Sequence, residues 1–439
     1  MTPILRRPLF AWDELQDSPS LQRIRDLLVS IPDGPLLHAL AQRRHNGCNK
    51  FPVRVLWGCL LLAILLRHAS MAACLDELRR NAPLRLLIGI EHEQDVPNGW
   101  NLSRFLAVLG QEPFFGELVA IFDVMVQHLG EAVPDLGRHT AGDSTGLSGR
   151  PEPDEPRRER ETAQGLPRPT GGRKEYKDDD GKVTKVVEWF GYKLHLLVDV
   201  KHEVTLAYHV TDTKAGDNEE IEALVEHAEA NLPKERIETL AYDKAADDVK
   251  VHEMLHEHEI KPVIRNRSCW PKDGDQEKVI GGRIPLHVVH DEAGTVFCYD
   301  TSEPPVRRPM SYAGHEKDRE TLKYRCPAKV EGFACPAAER CNAGKEYGLT
   351  VRVPREIDLR RFPSIPRATR QFEKRYKGRT SVERVNGRLK IFWGIGDGNV
   401  VGSRRFHAHV GAVMVVHLAF ATQLAVRQKN EGTFGKMRV

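Results

Sequence analysis

The chain has 439 residues, of which 40% are hydrophobic, enough to bury at least one large core and to suggest two or three domains. Its formal net charge of +3 says little about partners by itself, and its eight cysteines show none of the short spacings of a disulfide framework. The longest apolar run, Val55 to Leu66, falls well short of the roughly 20 residues of a bilayer span, so it reads as a buried helix and no membrane partner is expected. The start, MTPILRRPLFAWDEL, lacks an apolar core followed by a small-residue cleavage site, so a cytoplasmic protein is expected.

Residues 1–137 read as an all-α domain, with apolar positions such as Leu75, Leu78, Leu86 and Leu87 at spacings of three and four. Within it, NGWNLSRFLAVLG offers Asn101 or Ser103 as an N-cap before an apolar run, compatible with a turn between two helices that read DNA. At RHTAGDS a short strand is expected to end in Asp143. The stretch from Pro151 to Gly181 turns rich in Pro, Gly and charge, as an exposed loop or hairpin excursion does. In WFGYKLHLLVDV, Phe190, Tyr192, Leu194, Leu196 and Val198 alternate with a second set of residues, a period of two; VTLAYHV repeats it after a short turn, predicting an antiparallel hairpin.

A helix from about Asn218 to Asn231 follows, then a strand ending in Asp243, a helix through about His258, and a strand in KPVIRNR. The order β-β-β-α-β-α-β, mixing antiparallel and parallel neighbours, is that of an RNase H-like α/β core, here a mixed sheet flanked by helices. Residues 138–267 form its first part. Residues 268–370, with RIPLHVVH, TVFCYD and GLTVRVP, read as a β-rich insertion, and residues 371–439 return to the core as helices at about Gln371–Ile391 and His407–Arg427.

Charge is distributed unevenly. From Asp217 to Ile260 there are 4 Lys or Arg against 14 Asp or Glu, and from Arg352 to Lys390 there are 13 against 4. The basic stretch is a candidate phosphate-binding segment because it surrounds RYKGRTSVERVNGRLKIFWG. There Tyr376, Arg379, Glu383, Asn386 and Lys390 are spaced to share one helical face, and Glu383 is a lone acid among bases.

Cutting a DNA phosphodiester and attacking another strand with the freed 3′-hydroxyl requires charge stabilisation on the entering and leaving oxygens, which two Mg²⁺ ions about 3.5 to 4 Å apart can supply. Such ions take oxygen ligands and keep several waters, so three converging carboxylates suffice. Asp143, Asp243 and Glu383 are the candidates. Asp199, inside a strand, and Asp247 and Asp248, in the first turn of a helix, are the weaker alternatives. His195 reads as structural or near DNA, and His252, His256 and His258 as exposed polarity on an acidic helix.

The arrangement of Tyr376, Arg379, Glu383 and Lys390 resembles the signature of insertion-sequence DDE transposases of the Tyr-Arg-Glu-Lys superfamily. GDST around Asp143, GYKLHLLVDV, LAYDKAADD, PVIRNR and SVERVNGRLK resemble that family's blocks in their usual order, and MAACLDELRRNAPLRLLIG with LSRFLAVLG is similar to the N-terminal domain of many members. The resemblance implies an enzyme that cuts and rejoins the inverted-repeat ends of its own element. It implies metal ligation by Asp143, Asp243 and Glu383, with two Mg²⁺ that Mn²⁺ can replace. It also implies DNA contacts by Tyr376, Arg379 and Lys390, to which Arg384 and Arg388 on the same helix are added. Double-stranded DNA, both element end and target, is then the partner, with a homodimer in the synaptic complex and a nucleoid location when DNA is bound. A departure is Ala245 and Ala246, where relatives often carry an aromatic residue. The competing readings are an inert DNA-binding descendant and a nuclease that does not join strands.

Cys326, Cys335 and Cys341 lie near enough in sequence to share one Zn²⁺ with Cys298 or a histidine, but they lack the tight pairs of a zinc ribbon, and buried reduced thiols are the simpler expectation.

Overall fold

The computed structural model describes residues 18–44, 50–178, 182–271, 273–342 and 345–428; the opening residues read above for a leader, and Gly181, lie outside these. Among the described residues seven α-helices come first: α1 (Pro19–Val29), α2 (Gly34–Arg44), α3 (Val53–Leu65), α4 (Met71–Arg80), α5 (Ala82–Leu86), α6 (Gly99–Leu109) and α7 (Phe114–Ala132). The apolar run expected to be a core helix is α3, buried nearly throughout. The cap of α6 is Asn98, three residues before the expected Asn101. Asn98 accepts from the Asn101 amide, and the Asn101 side chain accepts from the Asn98 amide, so two amides that a helix start leaves unpaired are satisfied reciprocally.

The central sheet follows in β1 (His139–Arg150), α8 (Glu155–Ala163), β2 (Thr170–Lys177), β3 (Val183–Asp199), β4 (Thr205–Thr211), α9 (Asp217–Asn231), β5 (Thr239–Tyr242), α10 (Val249–Glu257) and β6 (Lys261–Ile264). Its core order is β4-β3-β1-β5-β6, with β3 antiparallel to β1 and β4, and with β5 and β6 parallel to β1. This is the RNase H-like arrangement the element order predicts. Of the set expected to alternate along β3, Tyr192, Leu194, Leu196 and Val198 are buried, whereas Phe190 is exposed. The alternate face is buried as well, at His195, Leu197 and Asp199, because helices cover both sides of the sheet.

Two expectations change. β1 runs on past Asp143, which pairs with Leu196 in mid-strand. The Pro- and Gly-rich excursion is not an open loop: its second half is β2, hairpinned against β3, and its first half holds α8. The buried Glu161 of α8 accepts from the Ser403 amide at the start of the last helix.

The insertion comprises two antiparallel sheets. β7 (Lys278–Val279), β8 (Val288–His290), β9 (Val296–Tyr299) and β10 (Arg307–Pro309) form one; β11 (Ser311–Glu316), β12 (Thr321–Arg325) and β13 (Thr350–Pro354) form the other, with the short helices α11 (Pro327–Glu331) and α12 (Ala338–Asn342) between β12 and β13. It has its own small apolar cluster around Val288, Val296, Leu322, Val353 and Phe362. The chain then returns through α13 (Arg370–Tyr376), α14 (Thr380–Ile391), β14 (Asp397–Val401) and α15 (Ser403–Gln428). The expected single helix at 371–391 is broken by a 3₁₀ turn at Lys377–Arg379.

By length and composition α15 is apolar enough to cross a membrane, but most of it is buried against α1, α3, α6 and α7, as in the central helix of a folded core. One apolar core runs from Leu27 in α1 to Ala421 in α15, so the N-terminal helices and the sheet pack as a single body.

The insertion is tied to the core by a buried carboxylate. Asp247 accepts from Arg360 Nε at 3.0 Å, from Arg367 Nη2 at 2.8 Å and from the Arg267 amide at 2.7 Å, with His252 Nε2 at 3.1 Å. His252 is therefore buried beside this acid, contrary to the exposed position expected of it, and His258 pairs with Glu229 at 2.7 Å. Burial alone would raise the Asp247 carboxyl; hydrogen bonds and charge from His252, Arg367, the Arg267 amide and Arg360 outweigh it and hold it at about 2.

Removing Asp247 leaves Arg360 and the buried Arg367 without their counter-charge. Asp247→Ala is expected to lower unfolding free energy at pH 7 by about 3 to 5 kcal/mol in urea titration. Because the folded pKa is depressed, the part of that loss linked to ionisation is present above the ordinary value of 3.8 and disappears as pH falls toward about 2, so the gap between variant and parent should narrow over that window without closing.

Candidate active site

Asp143 and Asp243 come from adjacent parallel strands. β1 pairs with β5 at His139↔Thr239, Thr140↔Leu240 and Ala141↔Ala241; Asp143 lies two residues beyond the last pair on β1 and Asp243 two beyond it just past the end of β5, near enough for the charge of Asp243 to raise the Asp143 carboxyl. Gly142, between Ala141 and Asp143, lies under the Tyr242 ring: a Cβ there would stand 2.2 Å from Tyr242 Cε2, so only glycine admits the pairing. β5 ends at Tyr242, and Asp243 turns its carboxylate to accept from the Ala245 amide at 2.8 Å, capping the 3₁₀ turn that follows. The small Ala245 and Ala246 occupy that turn, and Ala246 is buried.

Beyond Ala141, β1 loses its β5 partner. It regains one on that side only at Ser148, paired with Asp397 of β14, so among the described residues no strand covers 142–147 on this side. The gap is where α14 meets β1. Lys390 donates to Thr145 Oγ1 at 2.6 Å and to the Gly146 carbonyl at 2.9 Å, closing part of the exposed strand edge. About three helical turns toward the N-terminus, Arg379 stands between two acids: its Nη1 is 3.6 Å from Asp143 Oδ2, and its Nη2 donates to Glu383 Oε1 at 2.6 Å. Asp143 and Glu383 thus flank a single cation.

Asp143 is mostly enclosed, Asp243 half-buried and Glu383 half-exposed. Burial raises the Asp143 carboxyl, and the charge of Asp243 adds to the rise. The Ser144 amide, Lys174 and Arg379 oppose it without cancelling it. A buried pair of like charges that remains underneutralised in this way is what a bound cation would relieve. The donors are all carboxylate oxygen, which suits a hard divalent ion, and a guanidinium already lies where positive charge is wanted. Among the described residues no three His, Cys, Asp or Glu side chains form a closed cation cage, so Glu383 would have to leave Arg379 to complete one.

Lys174 of β2 was not anticipated. It is near enough to lower the Asp143 carboxyl and the Lys390 ammonium, and β2 was hidden from sequence reading by its glycines and charges. Tyr376 closes the other end of the site. Its ring stacks on Phe372 at 5.8 Å, and the Arg265 guanidinium lies 4.4 Å over it.

Two expected DNA contacts are placed elsewhere. Arg388 is buried, and both Arg384 and Arg388 form ion pairs with Glu203 in the β3–β4 turn; Arg384 also donates to Thr380 Oγ1 at 2.9 Å. Residues four apart on α14 point toward the same neighbour, and here that neighbour is the sheet's turn, so these two arginines fix the helix that carries Glu383. Asn386, counted with the functional face, is buried too.

The alternative acids have structural partners. Asp199 is buried and accepts from the Gly137 and His202 amides. Asp247 is the pin described above, and Asp248 caps α10 through the Lys250 amide at 2.9 Å. His195 is buried, its Nε2 2.9 Å from Thr211 Oγ1; desolvation lowers it to about 4, which keeps it neutral near pH 7.

Residues 135–419 match the family model described as Transposase DDE domain, a span that contains Asp143, Asp243 and Glu383. The chain belongs to the DDE transposase family. Residues 12–107 match a second model, Transposase domain (DUF772), over the N-terminal helices. No curated protein matches the chain.

Because the Asp143 carboxyl is raised in the folded protein, its charge opposes folding above pH 3.8, and the penalty grows toward neutrality. Asp143→Asn is expected to abolish catalysis while stabilising the metal-free protein at pH 7 by about 0.5 to 2 kcal/mol. The gain should shrink toward pH 4. Thermal melts across that range check both signs.

Proposed function

We propose that this transposase cleaves DNA at the inverted-repeat ends of an insertion sequence and joins the freed 3′ ends to target DNA, with Asp143, Asp243 and Glu383 as the ligands of two Mg²⁺ ions. The observation that carries this reading is that the Arg379 guanidinium lies between Asp143 and Glu383, with Asp243 near enough for its charge to raise the Asp143 carboxyl. Transposases of this family usually work with divalent metals, which Mn²⁺ can supply as well. When bound, the ions would stabilise charge on the attacking and leaving oxygens of the phosphodiester.

The remaining work falls to the chain's own groups. Arg379, which bridges Asp143 and Glu383, would hold a phosphate oxygen of the scissile strand if a metal took over the charge of those acids. Lys390, anchored at the open edge of β1, still has an N–H to offer, and Tyr376, backed by Phe372 and Arg265, offers a ring face to an end base. These are the Tyr, Arg, Glu and Lys positions of the superfamily signature. Lys174 on β2 adds positive charge beside Asp143.

The N-terminal helices supply a second contact surface for the element end. Arg43, Arg44, Lys50 and Arg104 line a groove between α2, α3 and α6, and the exposed Trp100 lies under Arg104 at 4.5 Å. Clustered bases around an exposed aromatic ring suit a nucleic-acid backbone. A homodimer is the assembly in which two such surfaces hold two ends.

The test is Mg²⁺-dependent nicking and strand transfer on a duplex carrying the element's own end, with Glu383→Gln as the control. The parent should nick and join. Glu383→Gln should still retard the duplex while both reactions fall at least about 100-fold. Binding without cutting by both proteins would assign the chain as an inert DNA-binding descendant, and cutting without joining would make it a nuclease.

A further inference from the structure

The insertion holds a second concentration of metal-ligating side chains, remote in sequence from the three carboxylates. Of the seven cysteines among the described residues, all free thiols, four border one cavity of about 240 Å³: Cys298, Cys326, Cys335 and Cys341. They arrive from separate segments. Cys298 is on β9, opposite Val288; Cys326 follows the last residue of β12 and begins α11; Cys335 precedes α12; Cys341 is within it. His287, just before β8, reaches the same cavity with its Nε2 3.3 Å from Cys341 Sγ.

Reduced thiols scattered in a core pack like small apolar groups. These do not. They surround unfilled space rather than a side chain, in a part of the chain that has little else to hold it. Between β12 and β13 the described residues form only two five-residue helices, and of their side chains few besides Pro327, Ala328 and Ala337 are buried. The insertion's apolar cluster is small, and domains of this kind commonly need a metal or a cross-link to fix their loops.

We propose that Cys298, Cys326, Cys335 and Cys341 bind one Zn²⁺ that staples the 326–341 segment to β9, with His287 donating to a ligand sulfur. Four thiolates around one divalent ion carry a net charge of −2, and binding releases the four thiol protons to solvent. Arg308 and Lys329 line the cavity and offset that charge. The site does not exist ready-made: among the described residues no three such side chains form a closed ligand set, so the thiols must draw inward to the roughly 2.3 Å of a zinc–sulfur bond. Burial first, and then the nearby Cys326, Cys335 and Cys341, together raise the Cys298 thiol to about 11, and the cysteines' share is a repulsion that a cation would reverse. The inference stands independently of the transposase chemistry, since a thiolate site is structural and the carboxylate site favours harder ions.

The experiment uses the full chain carrying Asp143→Asn, which weakens the carboxylate site, purified without chelator. Elemental analysis should find about one zinc per chain, released on titration with an organomercurial. Replacing the zinc with Co²⁺ should give the sulfur-to-metal charge-transfer and strong visible bands of a tetrahedral thiolate site. Cys335→Ser and Cys341→Ser should each lose the metal. Zinc-free protein in which Cys298, Cys326, Cys335 and Cys341 react with a thiol reagent in the native state would overturn the proposal, as would visible absorption of an iron–sulfur cluster in the purified chain. Neither outcome depends on whether the variants fold.

Discussion

Two carboxylates, Asp143 on β1 and Asp243 just past the end of its parallel neighbour β5, repel one another, and most of the architecture around them serves to keep them there. The register Ala141↔Ala241 fixes their approach, and Gly142 permits it because the Tyr242 ring takes the space a side chain would need. Helices on both faces of the sheet exclude much of the water that would otherwise screen the repulsion, which is why Asp143 holds its proton more tightly than an exposed aspartate. Arg379 provides one positive charge here, shared between Asp143 and Glu383, and the proposed cations would supply more.

The helix carrying Glu383 is aimed by forces at its other side. Glu203, in the turn between β3 and β4, takes both Arg384 and Arg388, and burial of Arg388 makes that pairing hard to give up. The 3₁₀ turn at Lys377–Arg379 then lets Arg379 and Tyr376 depart from the regular helical path. Asp247 performs the corresponding task for the insertion, fixing where the chain leaves the core at Arg267 and where it returns at Arg367. Both anchors join residues more than a hundred positions apart, so the site's geometry rests on long-range ion pairs as much as on the sheet.

Much of this was legible in the sequence for physical reasons. The period of two in β3, the order of strands and helices, and the β-rich insertion follow from hydrophobic patterning, and the spacing from Tyr376 to Lys390 marked the segment that meets β1. What patterning missed were features set by partners distant in sequence. β2 looked like a loop because glycine and charge dominate it, and it is a strand because β3 offers it an edge. Arg384 and Arg388 looked like phosphate ligands because nothing local reveals Glu203. His252 looked exposed because its acid, Asp247, was read as a surface helix start. Asp143 was placed at a strand end, whereas β14 and Lys390 support the strand beyond it.

The central claim is that Asp143, Asp243 and Glu383 make one cation site from which Arg379 withdraws. Crystals of the protein with Mn²⁺ and a duplex carrying the element's end, measured for anomalous scattering, test it directly. Manganese is expected within roughly 2.0 to 2.4 Å of oxygens of Asp143 and Asp243, with Glu383 turned to it and Arg379 on DNA phosphate. Manganese bound elsewhere, with Arg379 still bridging Asp143 and Glu383 while DNA is in place, would contradict it.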